Sequence, residues 1–282
     1  MKLSEILKIC SENETADFRY SVVCGSTESQ VTGITSDSRK MQDGYAFVCI
    51  KGAVSDGHKY IDQIKDKASV IVVLDGEYEA KDCNAAVVST DNTRLALALM
   101  SAAVYGNPDR KLFTIGITGT KGKTTTTYMV KNVLEACGIK TGLIGTIETI
   151  IGDEAIPAHN TTPESIEIHQ SFAKMVDAGC KAVVMEVSSQ GLKLDRTAGI
   201  MFDIGVFTNL EPDHIGPNEH ESFEDYLNCK AKLFKQCKVG IVNADDKHTQ
   251  DILRGAICKV ESYGIGDLSL IHISEPTRHA QI

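Results

Sequence analysis

The chain has 282 residues, of which 42% are hydrophobic and 24% charged, with a formal net charge of -9 at pH 7. That length exceeds what one hydrophobic core usually serves, and the acidity argues against a nucleic-acid partner, although glycine loops and Mg²⁺ still let an acidic protein hold phosphates. No apolar run approaches the roughly 18 residues needed to span a membrane, and the opening MKLSEILKICSENE has too short an apolar run and too many acids for a secretion signal, so a cytoplasmic protein without a membrane partner is expected.

Nine scattered cysteines contain no Cys-x-x-Cys pair and read as reduced, mostly buried thiols. From the N-terminus, residues 1–108 read as a small α/β domain, in which short apolar runs at 45–50 and 70–74 are separated by glycine and aspartate turns. Its most pointed segments are Asp37-Ser38-Arg39 and Asp56-Gly57-His58; alone, the first is compatible with a surface turn carrying a solvated ion pair. A helix is predicted over 91–105, ending near Gly106-Asn107-Pro108, with Pro108 marking the boundary to a second domain at 109–267.

After Pro108 strands and helices alternate. Strands are predicted at 112–117, 141–147, 181–187, 202–208 and 239–243, and helices at 123–137, 164–177 and 222–236. Such alternation means an α/β fold with a mostly parallel sheet, helices on both faces and a ligand at the carboxyl ends of the strands. Between the first strand and the first helix stands Gly119-Thr120-Lys121-Gly122-Lys123-Thr124, followed by Thr125. Glycines let backbone amides approach anionic oxygens, a helix N-terminus adds partial positive charge, Lys123 can reach terminal phosphates and Thr124 can offer its hydroxyl to Mg²⁺. Ile117 stands where the common Walker pattern has glycine, so the loop follows a tighter form.

Four further segments fall at the same sheet edge. Glu186 ends a strand and delivers an acid where Mg²⁺ on a nucleotide would lie, and it is followed by Ser188. Thr208-Asn209-Leu210-Glu211-Pro212-Asp213-His214 leaves the next strand. In Asn160-Thr161-Thr162-Pro163, the proline at a first helical position after two threonines is the grammar of a capped helix, whose free amides also suit a carboxylate or phosphate. Last comes the 222–236 helix, where Phe223, Tyr226, Leu227, Leu233 and Phe234 form an inward stripe; by pattern alone, Lys230 and Lys232 are solvated.

Taken in this order and spacing, the phosphate loop, Asn160-Thr-Thr-Pro, Met185-Glu-Val-Ser-Ser, Thr208 to Gly216 and the 224–233 helix resemble the Mur ligase family over residues 20–265. Within it, the likeness is to the ligases that add the third amino acid of the peptidoglycan precursor. The resemblance implies that the N-terminal domain holds the UDP end of a UDP-N-acetylmuramoyl-dipeptide, with Ser36 and Arg39 as candidates. It implies that Gly119 through Thr125 bind ATP with Lys123 on its phosphates, that Thr124 and Glu186 hold one Mg²⁺, and that His214 is a further metal-site residue. Lys230 falls where the family carries a lysine carbamylated by CO₂ whose oxygens serve a second Mg²⁺. Asn160, Thr161, Thr162, Ser188 and Arg196 match positions that grip the muramoyl-dipeptide, and Asn243 falls on the adenine side. The implied reaction phosphorylates a substrate carboxylate with ATP and then lets an amino-acid amine, from L-lysine or meso-diaminopimelate, displace phosphate. The protein is expected to be monomeric. Folylpolyglutamate synthetases share the loop and chemistry, and a P-loop switch or transport ATPase is an alternative of another class.

Residues 268–278, LSLIHISEPTR, resemble an in-frame translation of a transposon-end adapter. The tail 268–282 is therefore expected to be foreign, with a C-terminal amino-acid-binding domain missing and little turnover by these residues alone.

Overall fold

The computed structural model describes residues 1–52, 55–78, 84–213, 215–216 and 219–265. The expectation of a foreign tail at 268–282 lies outside them. The chain divides into two compact units, one made of residues 1–111 with 163–176 and 194–199, the other of 112–162, 177–193 and 200 onward. This division is more interleaved than a single cut at Pro108.

In the first unit, α1 (Leu3–Ser11) buries Leu3, Ile6, Leu7 and Cys10, one stripe of a 3.6-residue repeat. Strands β1 (Tyr20–Cys24), β2 (Gly33–Thr35), β3 (Tyr45–Val48), β4 (Val70–Leu74) and β5 (Ala86–Thr90) form a sheet in the order β1-β5-β4-β3-β2. All neighbours are parallel except β1 on β5. Strand alternation divides the apolar residues between two cores. Ala46, Val48, Val70, Val72, Ala86 and Val88 pack with α1 and with α3 (Thr93–Val104), while Phe47, Ile71, Val73 and Val87 pack with Ile61 and Ile64 of α2 (Ile61–Ile64). A parallel strand buried on both faces needs no polar alternation, which explains the unbroken apolar run at 70–74. The Asn92 side chain caps α3 by accepting from the amides of Arg94 and Leu95 at 3.1 and 3.0 Å.

The second unit begins with β6 (Phe113–Thr118), α4 (Lys123–Ala136) and β7 (Thr141–Ile144). The strand expected over 141–147 stops three residues early, and the chain turns at Gly145-Thr146 into an antiparallel hairpin, β8 (Glu148–Ile151) and β9 (Glu154–Pro157), that the sequence reading did not foresee. Helix α5 (Ser165–Asp177) starts two residues after Pro163, so this proline precedes the helix rather than opening it. Then follow β10 (Ala182–Glu186), α6 (Ser189–Lys193), β11 (Phe202–Phe207), α7 (Phe223–Ala231), β12 (Cys237–Asn243), α8 (Thr249–Ile252) and β13 (Lys259–Tyr263). The helix expected over 222–236 is an α-helix to Ala231 and a tighter 3₁₀ turn over Lys232–Lys235, which seats Leu233 and Phe234 against Gly205 and Gly240 of the sheet.

The sheet order is β13-β12-β11-β6-β10-β7-β8-β9, with six parallel strands followed by the hairpin. The chain leaves β6 for β7 on one side and reaches β11 on the other, so β6 ends between β10 and β11. A crevice outside the carboxyl ends of such strands is where α/β sheets bind ligands. Ile115, Ile117 and Val184 pack with Val130 and Leu134 of α4, fixing that helix behind the loop it starts from.

Candidate functional site

The turn after β6 is built around glycine. Gly119 has φ +152° and a Cβ there would collide with the Thr208 hydroxyl; Gly122, at φ +84°, sits just before α4 in a conformation most side chains avoid. Asn209, at the end of β11, clamps the loop. Its carbonyl accepts from the Thr120 amide at 2.9 Å, its Oδ1 accepts from the Lys121 amide at 2.9 Å, and its Nδ2 donates to the Lys121 carbonyl at 3.0 Å. Two of the loop amides expected to meet phosphates are therefore engaged by Asn209. The amides of Lys123, Thr124 and Thr125, in the first turn of α4, have no carbonyl within the helix to bond and are the ones offered to an anion.

Two lysines converge on one carbonyl. Lys123 Nζ donates to Gly119 O at 2.9 Å and to Thr120 O at 3.1 Å, and Lys230 Nζ, from α7, donates to the same Gly119 O at 2.9 Å. Lys230 is only 1% exposed, so the solvated surface lysine that its pattern suggested is instead a core residue, lying 4.5 Å from the centre of the Tyr226 ring. The Tyr226 hydroxyl lies 3.0 Å from Thr120 Oγ1, tying α7 to the loop a second time. Burial lowers the pKa of both amines. For Lys230 the shift is large and the nearby Lys123 adds to it, whereas Glu186 and Asp213 partly offset it at Lys123.

Glu186 is the third element. It is 1% exposed and stands at the end of β10 in register with Ile117 of β6, so the acid and the loop share the sheet's carboxyl edge. Among the described residues, the hydrogen bonds to its carboxylate come from Thr146, amide to Oε1 at 2.9 Å and hydroxyl to Oε2 at 3.1 Å. Its backbone carbonyl accepts from the Thr162 hydroxyl at 2.9 Å, which itself accepts from the Ser188 amide at 2.9 Å. Ser188 Oγ accepts from the Gly191 amide at 3.0 Å. A buried carboxylate whose hydrogen bonds among the described residues come from neutral donors, at the same sheet edge as the half-buried Thr124 that begins α4, offers oxygens of the kind that suit Mg²⁺. The expected residue His214 lies outside the described residues.

Other expected residues have structural partners. Asn243 Nδ2 donates to Thr208 O at 2.9 Å and holds the ends of β11 and β12 together. Exposed Lys121 pairs with Glu211 at 2.5 Å. Asn160 is exposed, and Thr161 Oγ1 is 3.0 Å from Thr146 Oγ1. Thr146, Asn209 and Tyr226 carry much of the geometry without having been singled out as site residues. The glycine-threonine pair after β7 is the sequence signal for Thr146, masked because Ile147 continues the apolar pattern past it.

The first unit has its own cavity of about 600 Å³, lined by Ser36, Arg39, Ser55, Tyr60 and Gln63 among others. Asp37 accepts from the Arg39 amide at 3.0 Å and from its guanidinium at 2.9 and 2.8 Å, and this pairing holds the Asp37 carboxyl down at about 2. His58 accepts from the Leu74 amide at its Nε2 and donates from Nδ1 to Asp56 at 2.7 Å, so the Asp56-Gly57-His58 turn is pinned to β4. Arg196, also in this unit, pairs with Glu164 at 2.6 Å.

Comparison with known proteins agrees with this arrangement. Residues 117–281 match the Mur ligase middle domain, and residues 30–105 match a segment described as Mur ligase family, catalytic domain. The UDP-N-acetylmuramoyl-L-alanyl-D-glutamate--2,6-diaminopimelate ligase of Clostridium perfringens is 46% identical over 252 residues, covering 87% of this chain and 51% of that protein. The ligase of the same name from Clostridium tetani is 40% identical over 283 residues, covering 100% of this chain and 56% of the relative. The chain thus spans about half the length of these curated relatives. A solved structure of a ligase of that name superposes with a TM-score of 0.76 at 21% identity, covering 95% of this chain and 53% of the other, which establishes the shared α/β fold. The chain belongs to the Mur ligase family.

Proposed function

We propose that this chain carries the ATP site and the UDP-sugar site of an ATP-dependent ligase that joins 2,6-diaminopimelate to UDP-N-acetylmuramoyl-L-alanyl-D-glutamate. The choice of diaminopimelate over lysine rests on relatives that carry that substrate in their names at 46% and 40% identity. The observation that carries the ATP reading is the convergence of the half-buried Lys123 amine and the buried Lys230 amine on Gly119 O beside the first turn of a helix. The free first-turn amides of α4 and the amine of Lys123 beside them favour an anion of high charge, and a nucleotide's terminal phosphates supply it.

In this reading Lys123 leaves its carbonyl partners to neutralise charge that builds on the transferred phosphoryl oxygens, the contribution that usually dominates such catalysis. Thr124 and Glu186 hold one Mg²⁺, which when bound shields the phosphates and draws electrons from the transferred group. Phosphorylating the substrate carboxylate gives it a leaving group, and the amine of the amino acid then displaces phosphate through a tetrahedral intermediate. Lys230 is suited to carbamylation, because an amine must shed its proton to attack CO₂ and burial already favours the neutral form. Its carbamate would add an anionic oxygen pair for a second Mg²⁺. Thr161, Thr162 and Ser188 meet the muramoyl-dipeptide, while Ser36 and Arg39 meet the uridine diphosphate, with Arg39 exchanging part of its bonding to Asp37 for the diphosphate.

Two measurements test the assignment. Retention on an immobilised UDP-N-acetylmuramoyl-dipeptide is expected for the chain and is expected to weaken at least tenfold in Arg39→Ala; equal retention contradicts the UDP-site reading. With ¹³C-labelled bicarbonate, a carbamate resonance is expected in the wild type and absent from Lys230→Arg; a resonance that persists in the variant would assign it elsewhere.

A further inference from the structure

Thr146 Oγ1 stands between two acceptors, 3.1 Å from Glu186 Oε2 and 3.0 Å from Thr161 Oγ1. A threonine hydroxyl has a single proton, so it serves one of them at a time. The close fit is built into the backbone: Gly145 precedes it, and a Cβ at Gly145 would lie 2.6 Å from Glu186 Oε1, so only glycine lets the Thr146 amide reach the carboxylate. The partner segment is tied to the same acid from the other side, because Thr162 donates to the Glu186 carbonyl. Residues 160–162 are thus joined to Glu186 twice, rigidly through its backbone and conditionally through the Thr146 proton.

We infer that Thr146 is a positioning residue that couples cation binding at Glu186 to the ordering of the Asn160-Thr161-Thr162 segment. With a bare carboxylate, the charge-assisted bond is the stronger and the Thr146 proton faces Glu186. A divalent cation on that carboxylate withdraws charge from Oε2, the preference falls, and the proton turns to Thr161, which then gains a bond that fixes its loop. Linkage makes the effect reciprocal: a ligand that orders 160–162 tightens the cation by the same factor. This deepens the ligase reading and rests on it, since that reading places the metal on Glu186 and the muramoyl-dipeptide on 160–162; the coupling would make nucleotide-bound metal a condition for a firm substrate grip.

The test measures amide hydrogen exchange at residues 158–162 in the whole chain with the non-hydrolysable nucleotide adenylyl imidodiphosphate, with Mg²⁺ or with a chelator, while calorimetry records nucleotide binding in the same samples. In the wild type, Mg²⁺ is expected to slow exchange of this segment at least threefold beyond the nucleotide alone. Thr146→Ser should keep the effect, and Thr146→Val should lose it while still binding nucleotide. Thr161→Val, which leaves Thr146 and Glu186 intact, should also lose the Mg²⁺ effect and serves if Thr146→Val folds poorly. A wild-type response retained in Thr146→Val or Thr161→Val, or no Mg²⁺ response in a nucleotide-bound wild type, overturns the coupling and leaves the ATP reading standing. Failure of the wild type to bind nucleotide by calorimetry overturns that reading and the coupling with it.

Discussion

At the scale of single residues, the site depends on groups whose surroundings reverse their usual behaviour. Lys230 was recognisable as a candidate only through family likeness, since a lysine in a Lys-x-Lys pair on a helix normally points to water; what decides its place is Tyr226 beneath it and Gly119 O in front of it. Glu186 was legible from sequence because an acid at the end of an apolar strand has few other places to be. Thr146 was not, because its contacts come from residues 15 and 40 positions away, which no local pattern encodes. Tyr226 offers a clean probe. Tyr226→Phe removes the bond to Thr120 but keeps the ring against Lys230, and a net loss of about 1 kcal/mol is expected for one such bond. Nucleotide affinity, measured by titration, should therefore fall three- to tenfold with the chain still folded. An unchanged affinity would mean that the loop does not need this tie.

At the scale of elements, boundaries followed residue chemistry where caps and periodicity were strong and strayed where tertiary contacts took over. Helix α3 lies within its expected span because Asn92 caps it, and α4 starts where the glycine turn releases it. The β8–β9 hairpin and the 3₁₀ end of α7 were missed because a short apolar run does not reveal where it bends. Helix α5 carries a further consequence. His169 is 0% exposed, its ring nitrogens have no hydrogen-bond partner among the described residues, it meets Phe172 edge-on, and burial lowers its pKa to about 4. The unfolded chain, with an ordinary value near 6.5, takes up a proton that the folded chain refuses. Stability from this residue is thus full above about pH 6.5 and is lost as pH falls toward 4, by about 3 kcal/mol in all. Urea unfolding of His169→Leu should show a gain over wild type that grows between pH 6.5 and 4.5. A gain of equal size at every pH would assign the effect to packing alone.

At the scale of the whole molecule, the sequence made both α/β units legible through their alternating apolar runs, while the assignment of 163–176 and 194–199 to the first unit depends on long-range packing that no linear reading supplies. A two-unit chain also makes a ligand's effect local. Nucleotide with Mg²⁺ should raise hydrogen-exchange protection around β6, α4 and β10 and leave β3 and β4 unchanged, whereas the UDP-dipeptide should protect the segments around Arg39 and Tyr60. Protection spread evenly over both units by nucleotide alone would contradict separate sites.

The central claim is that the glycine turn and Glu186 hold one metal-bound triphosphate between them. Calorimetric titration of adenylyl imidodiphosphate into the wild type, Lys123→Ala and Glu186→Gln, each with and without Mg²⁺, tests it directly. Tight binding is predicted for the wild type, a loss of at least tenfold for Lys123→Ala under both conditions, and for Glu186→Gln the disappearance of the Mg²⁺-dependent gain. Wild-type Mg²⁺-dependent affinity in Glu186→Gln would contradict it.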